Sequence, residues 1–504
     1  MPGDLGQLED RLRAAFADAA ETVRLDDVSE AAPAATSPVR WRAAARIRSR
    51  RPTALAAAAA VLLVVITATV IPQVLQSGSR HRTGRPGSAE RVPHSHMAYV
   101  VGQRDLLIPV DLATGIALKP IPLGVAGGDV GVAISPDGKV VYVLTVRGEL
   151  VPVDVRTGTA APAIKVGGVS QDLVTTPDGK AAYVLEPPYG VVAVDLATRT
   201  ALGLIKIPNA SSFALTPNGK TLYVLGATTS TPASTPVPVL TAIDTATNAI
   251  AGTLTLTAPD LHSRCPTRSG NGSQPGSSCL PRGWHVNQQS VTMAPDGKTV
   301  YVVYESGNSR TSRQTGFIVG VEVAGNTELK PIAVTDSRAW TGNPVDLAIS
   351  PDSQTGYLTG IDSVVPVDLR TGAALPSIAL SGSRLDFGYT VTFSPDGATA
   401  YMIQNIGSTV VPVDTATSTA LPPIRLVGSA GWMLDGGVFA PGGKTLYLLS
   451  YGGGKGAVLP GRMTPINVAT GAVGKSIDFP AGLDGIVFSP GPGEKQPVSA
   501  SFLP

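Results

Sequence analysis

The chain has 504 residues, a length above the usual ceiling for one hydrophobic core. Gly (56) and Pro (43) together make about a fifth of it, which excludes a mostly helical protein and calls for many turns. The net charge is +2: residues 1–96 hold 13 Arg against 9 acidic residues, and residues 97–504 hold 26 Lys and Arg against 28. A near-neutral main body excludes nucleic acid as the principal partner, because phosphate binding needs a basic face.

Residues 5–25 have the period of an amphipathic helix. Leu5, Leu8, Leu12, Phe16 and Val23 fall on one side, and Glu9, Asp10, Arg13, Asp18 and Glu21 on the other. Such a helix either docks on a cytosolic protein or is a solvated tail. Residues 31–39 read as a linker. From Pro52 to Ser79 there is no charged residue, and residues 52–76 are long and apolar enough to cross a lipid bilayer as one helix. A cleaved signal peptide normally occupies the first ~30 residues, so this segment reads as an uncleaved anchor. Arg40, Arg42, Arg46, Arg48, Arg50 and Arg51 crowd its N-terminal side. The positive-inside rule then predicts a single-pass cell-membrane protein, with residues 1–51 cytoplasmic and the bulk of the chain outside. Residues 77–96, rich in Ser, Gly, Arg and His, are a second linker.

From residue 97 onward two phrases recur. The first is Ser/Thr/Ala-Pro-Asp-Gly followed by a strand containing Tyr: Ser135–Tyr142, Thr176–Tyr183, Thr216–Tyr223 and Ala294–Tyr301, with weaker copies at Ser350–Tyr357, Ser394–Tyr401 and Ala440–Tyr447. A final Ser489-Pro490 lacks its Tyr strand, and an opening Tyr99 lacks its turn. The second phrase, apolar-Pro-Val-Asp-x-x-Thr-Gly, puts Asp111, Asp154, Asp195, Asp244, Glu322, Asp368, Asp414 and Asn467 in one register. Both are turn phrases: Pro fixes φ, Asp bonds nearby amides, and Gly takes a positive φ. Each repeat is therefore four strands: A before Pro-Asp-Gly, B with Tyr, C ending at Val-Asp, and D after it.

A four-stranded unit of about 40–45 residues is the signature of a β-propeller. The fold class is all-β: a propeller over 97–490, eight-bladed by repeat count with seven blades as the alternative, preceded by one transmembrane helix and followed by a tail, 491–504. The last strand A completes the sheet begun at Ala98–Leu123 and hides the ring's edges. Pro109, Pro152, Pro366, Pro412 and Pro465 fall inside strand C, where proline is expected only at a bulge or an edge. Their recurrence in register predicts a bulge there, or a position whose amide is not in the ladder. Residues 257–289 form a long insertion holding the chain's two cysteines, Cys265 and Cys279. Outside the membrane a lone pair is expected to be bridged.

These phrases resemble the YVTN-repeat family of propellers, also described as YncE-like or lactonase-like. Asp244-Thr-Ala-Thr-Asn248 and Asp414-Thr-Ala-Thr are close to its Val-Ile-Asp-Thr-Ala-Thr turn. The resemblance covers roughly 97–490 and implies the propeller fold. It leaves function open, since the family includes lactonases, surface-layer proteins and binding proteins. The first 96 residues resemble those of single-span actinobacterial membrane proteins in their Ala and Arg richness.

In such a ring the A–B and C–D turns share one mouth, and the B–C and D–A loops the other. The first mouth is regular. The second carries the B–C loops 226–238, 304–316 and 450–462 and the D–A loops 257–289, 335–345 and 427–435. Function is expected on the irregular mouth. Trp284, Trp340, Trp432, Phe387 and Tyr389 gather there, either as a binding surface or as plugs for their own loops. Asp129, Asp172, Asp346, Asp435 and Asp484 open strand A in five repeats. They would either ring a cation or cationic ligand, or cap inter-blade turns.

No His, Cys and acid spacing matches a metal site, and no nucleophile elbow is present. The expectation is an extracytoplasmic module, non-enzymatic and without cofactor, that binds an unidentified ligand or protein. A lactonase-like hydrolase is the alternative. So is a sensor coupling an outside ligand to a cytosolic partner through residues 1–51.

Overall fold

The computed structural model describes residues 96–490 except 103–104, 126–127, 169, 229–236, 257–283, 309–312, 335–345, 361–362, 381–388, 405–408, 427–431 and 453–459. The described residues form eight separate antiparallel sheets of four or five strands, one per repeat. The structure is an eight-bladed β-propeller, and the seven-bladed alternative falls. Blades are numbered 1–8 around the ring, and their strands run A to D. Blade 1 is composite. Its strand A is the last strand of the chain, Leu483–Phe488, which pairs with Met97–Gly102, the first strand B. The chain thus closes the ring between its two ends.

Strand B shows why the blades stack. Val140–Thr145, Ala181–Glu186 and Thr221–Ala227 are buried along nearly their whole length, because each sheet is covered on both faces by neighbouring sheets. Eight apolar clusters result, and each joins two successive blades, including blade 8 to blade 1. The repeated tyrosine always enters the cluster shared with the following blade: Tyr142 with blade 3, Tyr183 with blade 4, Tyr447 with blade 1. The Tyr183 hydroxyl donates to Asn248 Oδ1 at 2.7 Å and to the Thr245 carbonyl at 3.2 Å, both in the C–D turn of blade 4.

The prolines of strand C sit where strand D breaks. In blade 2, Pro152 pairs with Tyr142 on its inner side, while on its outer side strand D is split into Thr159–Ala160 and Ile164–Lys165. Blades 1, 6 and 7 split at Pro109, Pro366 and Pro412, and blade 5 at Gly320. Blades 3 and 4 carry Ala193 and Ala242 instead. There strand D is continuous, Thr200–Lys206 and Ala249–Thr255, with a register shift beside the alanine. The predicted bulge is real in all these blades, and it widens into a gap at the prolines and at Gly320. The carbonyl at this position still accepts a bond, as Pro152 does from the Ala161 amide at 2.8 Å.

Several of the predicted loops are partly strand, most clearly two of the B–C loops. In blade 5, strands B and C run Thr299–Asn308 and Arg313–Glu322 as a ten-residue hairpin, so most of 304–316 is paired. In blade 8, strand B reaches Gly452 and strand C starts at Gly461. Among the described residues no helix is long and apolar enough to cross a membrane. The predicted span 52–76, the helix 5–25, the linker 31–39 and all but the last residue of the linker 77–96 lie outside the described residues.

Candidate functional site

The regular mouth is consumed by structure. In the C–D turns the acid caps the turn. Asp154 Oδ1 accepts the Thr157 amide at 2.8 Å, Asp195 the Thr198 amide at 2.8 Å, and Asp414 the Thr417 amide at 2.8 Å. Bonds from Thr157, Thr198 and Thr371 hold the carboxyls of Asp154, Asp195 and Asp368 below the ordinary value, as bonds from Thr247 and Thr417 do for Asp244 and Asp414. The fifth residue of every turn has positive φ: Gly115, Gly158, Arg199, Asn248, Asn326, Gly372, Ser418 and Gly471 lie between 50° and 71°.

The Pro-Asp-Gly turns also link blades. A Cβ on the turn glycine of one blade would meet the turn proline of the preceding blade: Gly138 meets Pro490 at 2.8 Å, Gly219 meets Pro177 at 2.6 Å, and Gly443 meets Pro395 at 2.7 Å. Gly179, Gly297 and Gly397 lie over Pro136, Pro217 and Pro351 in the same way. Ser353 replaces the glycine in blade 6 with φ 61°, and its Oγ accepts the Asp296 amide of blade 5 at 3.0 Å. These interlocks were not visible in the sequence, because each joins turns of different repeats that read locally as separate hairpins.

At the irregular mouth, the five acids that open strand A do not share one ladder position. Asp172 pairs with Leu185, two residues beyond the blade's tyrosine, and Asp346 is bonded to Thr359 in the matching place. Asp435 and Asp484 are the extra residues of bulges, between Leu434 and Gly436 and between Leu483 and Gly485. Asp129 lies one step further out, opposite Thr145. The carboxylates of Asp172 and Asp346 accept the next amide of their own strand, Leu173 at 2.7 Å and Leu347 at 2.8 Å. Among the described residues no group of three or more His, Cys, Asp and Glu is placed to hold a metal.

The aromatic residues divide. Tyr389 is buried, in the cluster between blades 6 and 7, and is not part of an exposed surface. Trp284 and Trp432 begin strand A of blades 5 and 8 rather than lying in loops. Trp340, Phe387, Cys265 and Cys279 lie outside the described residues.

Around Trp432 the structure assembles a group that the sequence did not reveal. Trp432 is half-buried and lies opposite Gly452, which offers no side chain. Two residues further in, Leu434, Ser450, Arg462 and Asp478 follow one another across strands A to D. Arg462 reaches past Gly452 and places its guanidinium 4.3 Å from the indole centroid. Asp478 fixes it from the other side, Nε to Oδ1 at 2.6 Å and Nη2 to Oδ2 at 3.3 Å. The Arg462 side chain is 22% exposed and that of Asp478 63%, so the pair runs from the cleft out to solvent. A stacked arginine held by a two-point carboxylate is a rigid planar array.

A buried carboxyl lies at the same mouth in blade 3. Glu186 ends strand B, is 7% exposed, and its Oε1 has no partner. Burial pushes its carboxyl up, partly offset by the Gly168 amide. A Cβ at Gly167 would coincide with this carboxylate, so only glycine fits beneath it.

No protein-family model matches the chain, and no curated protein matches it. Among solved structures it is similar to the dihydro-heme d1 dehydrogenase NirN in complex with DHE, at TM-score 0.58 and 14% identity, over 82% of this chain and 79% of that one. It also matches the hydrazine synthase of Kuenenia stuttgartiensis at TM-score 0.43 and 16% identity, over 68% of this chain and 99% of that one. A eukaryotic initiation factor matches at TM-score 0.46 and 11% identity, over 79% and 100%. At 14% identity the likeness to NirN concerns the propeller fold alone.

Proposed function

We propose that this chain is a membrane-anchored, extracytoplasmic β-propeller that binds a ligand or protein at its irregular mouth without chemically transforming it. One observation carries the reading: the asymmetry of the two mouths. Repeated turn residues cap hairpins and interlock blades at the regular mouth. The other mouth holds the Trp432–Arg462–Asp478 array, whose charge pair no repeat phrase requires. The apolar segment 52–76 and its arginine-rich N-terminal flank support the anchor and its orientation. The repeat phrases support kinship with YVTN-type propellers, and the redox chemistry named for NirN does not transfer on fold alone.

The test has two arms. Protease added to intact cells should remove the propeller and spare residues 1–51; a propeller protected until lysis refutes the orientation. The full chain in detergent is then screened for small molecules and peptides that raise its melting temperature, with each hit recovered and weighed by mass spectrometry. Hits returned unaltered support a binding module. A hit hydrolysed by the wild type but not by a variant of an irregular-mouth acid replaces this reading with the lactonase-like one.

A further inference from the structure

The side chains at the outer end of blade 8 are not demanded by the scaffold. In the strand C position of Arg462, blades 1, 3, 4 and 5 carry Leu106, Gly190, Val239 and Phe317, and blades 2, 6 and 7 carry Glu149, Ser363 and Thr409. Blade 2 also sets opposite charges across from each other there, Glu149 against Lys165; the other residues are apolar, small or neutral. Blade 8 instead places a guanidinium between an indole and a carboxylate, on the face turned toward blade 7. Holding two long polar groups in one geometry costs side-chain entropy and partial desolvation. The arrangement fits a surface kept in shape for something else to meet.

Its chemistry narrows what that is. An indole offers a flat apolar platform, and the guanidinium behind it keeps the ring from tilting. The Asp478 carboxylate accepts two bonds from Arg462, yet has about four lone-pair sites and is mostly in solvent, so it can accept further donors beside the platform. An anionic ligand would meet Asp478. A cationic ligand would meet an indole already facing a cation at 4.3 Å. A neutral ligand with an apolar face and a rim of hydroxyl donors meets neither obstacle. We propose that Trp432, Arg462 and Asp478 form a docking platform for a neutral saccharide. A pyranose ring lays its C–H face on the indole, and its hydroxyls donate to Asp478. Arg462 is a positioning residue that fixes both partners. This rests on the irregular mouth being the binding face and names its ligand class.

The test is titration of the full chain in detergent with maltohexaose, cellohexaose, mannohexaose and N-acetylchitohexaose, read by tryptophan fluorescence and calorimetry. At least one should bind. Trp432→Ala should weaken it ten-fold or more, while Trp432→Phe retains most of the affinity by keeping a stacking face. Asp478→Asn should weaken it several-fold, and Lys220→Gln, exposed in a turn of the regular mouth, should leave it unchanged. Melting curves of each variant separate lost binding from lost fold. Failure of all four sugars to bind, or equal affinity in folded Trp432→Ala, overturns the saccharide assignment. If the sugars fail but a peptide or charged ligand stabilises the chain and Trp432→Ala abolishes that effect, the saccharide class falls and the binding mouth stands.

Discussion

Replacing Gly219 with alanine asks whether the Pro-Asp-Gly turns hold blades together or merely close hairpins. Gly219 has φ 69°, and a Cβ there would lie 2.6 Å from Pro177 Cδ of the preceding blade. Gly115, in a C–D turn, has nearly the same φ of 67° but nothing within 4 Å of its would-be Cβ. The left-handed conformation alone costs an alanine about 1–2 kcal/mol at either site. Forcing a methyl against a fixed proline ring adds about 1–3 kcal/mol at Gly219 only. For a cooperative unit of roughly 400 residues, unfolding entropy near 2 cal/mol/K per residue gives about 0.8 kcal/mol per degree. Gly115→Ala should then lower the melting temperature of the full chain by about 1–2 °C, and Gly219→Ala by about 4 °C. Adding Pro177→Ala to Gly219→Ala should recover the difference, because the two changes share one contact. Equal shifts in the two single variants, or no recovery in the double variant, would show that the turns do not interlock.

Three further outcomes follow from the same contacts. Tyr183→Phe deletes the hydroxyl bonds to Asn248 and Thr245 and should cost about 1 kcal/mol in denaturant titrations; an unchanged midpoint refutes the cross-blade link. Deleting residues 483–504 removes strand A of blade 1 and exposes strand B, so the truncated chain should aggregate in light scattering; a soluble product with unaltered melting refutes closure by that strand. Glu186 has its folded pKa raised by burial, so its favourable contribution is full at low pH and is lost as pH rises through that folded value. Glu186→Gln should therefore raise the melting temperature near pH 8 and leave it unchanged near pH 4; a gain independent of pH refutes the buried-carboxyl account.

The blade plan was legible because its signals are local. Proline, aspartate and glycine dictate a turn within four residues, and a tyrosine in an apolar run marks a strand buried on both sides. Seven such phrases, with two unmatched ends that make up an eighth, set the blade number and implied the composite blade. The strand C prolines were legible as an irregularity. That strand D itself breaks opposite them needed the ladder, since the break is a property of the partner strand. What stayed hidden was every contact between repeats, proline on the next blade's glycine and Tyr183 on Asn248, and, within blade 8, the stacking of Arg462 on Trp432 from 30 positions away. Tyr389 misled for the same reason, as burial between blades 6 and 7 is set by the neighbour and not by its own segment.

The position of these contacts explains how one repeat tolerates different mouths. Turn caps, proline–glycine interlocks and the Tyr183 link to the next blade all lie toward the regular end of the strands. At the opposite ends the repeated contacts are backbone bonds from the end of strand D, such as the Val166 amide to Gly148 and the Ile207 amide to Tyr189, which leave the side chains free to vary. Blade 5 extends its hairpin there, blade 3 buries Glu186, and blade 8 sets Arg462 beneath Trp432, each without altering the turns that fix blade spacing. Side chains at that end answer to their own local partners, and the ring answers to the other. Substitutions at Trp432 or Asp478 should therefore leave blade spacing intact, whereas substitutions at Gly219 or Tyr183 act on whether the ring holds together.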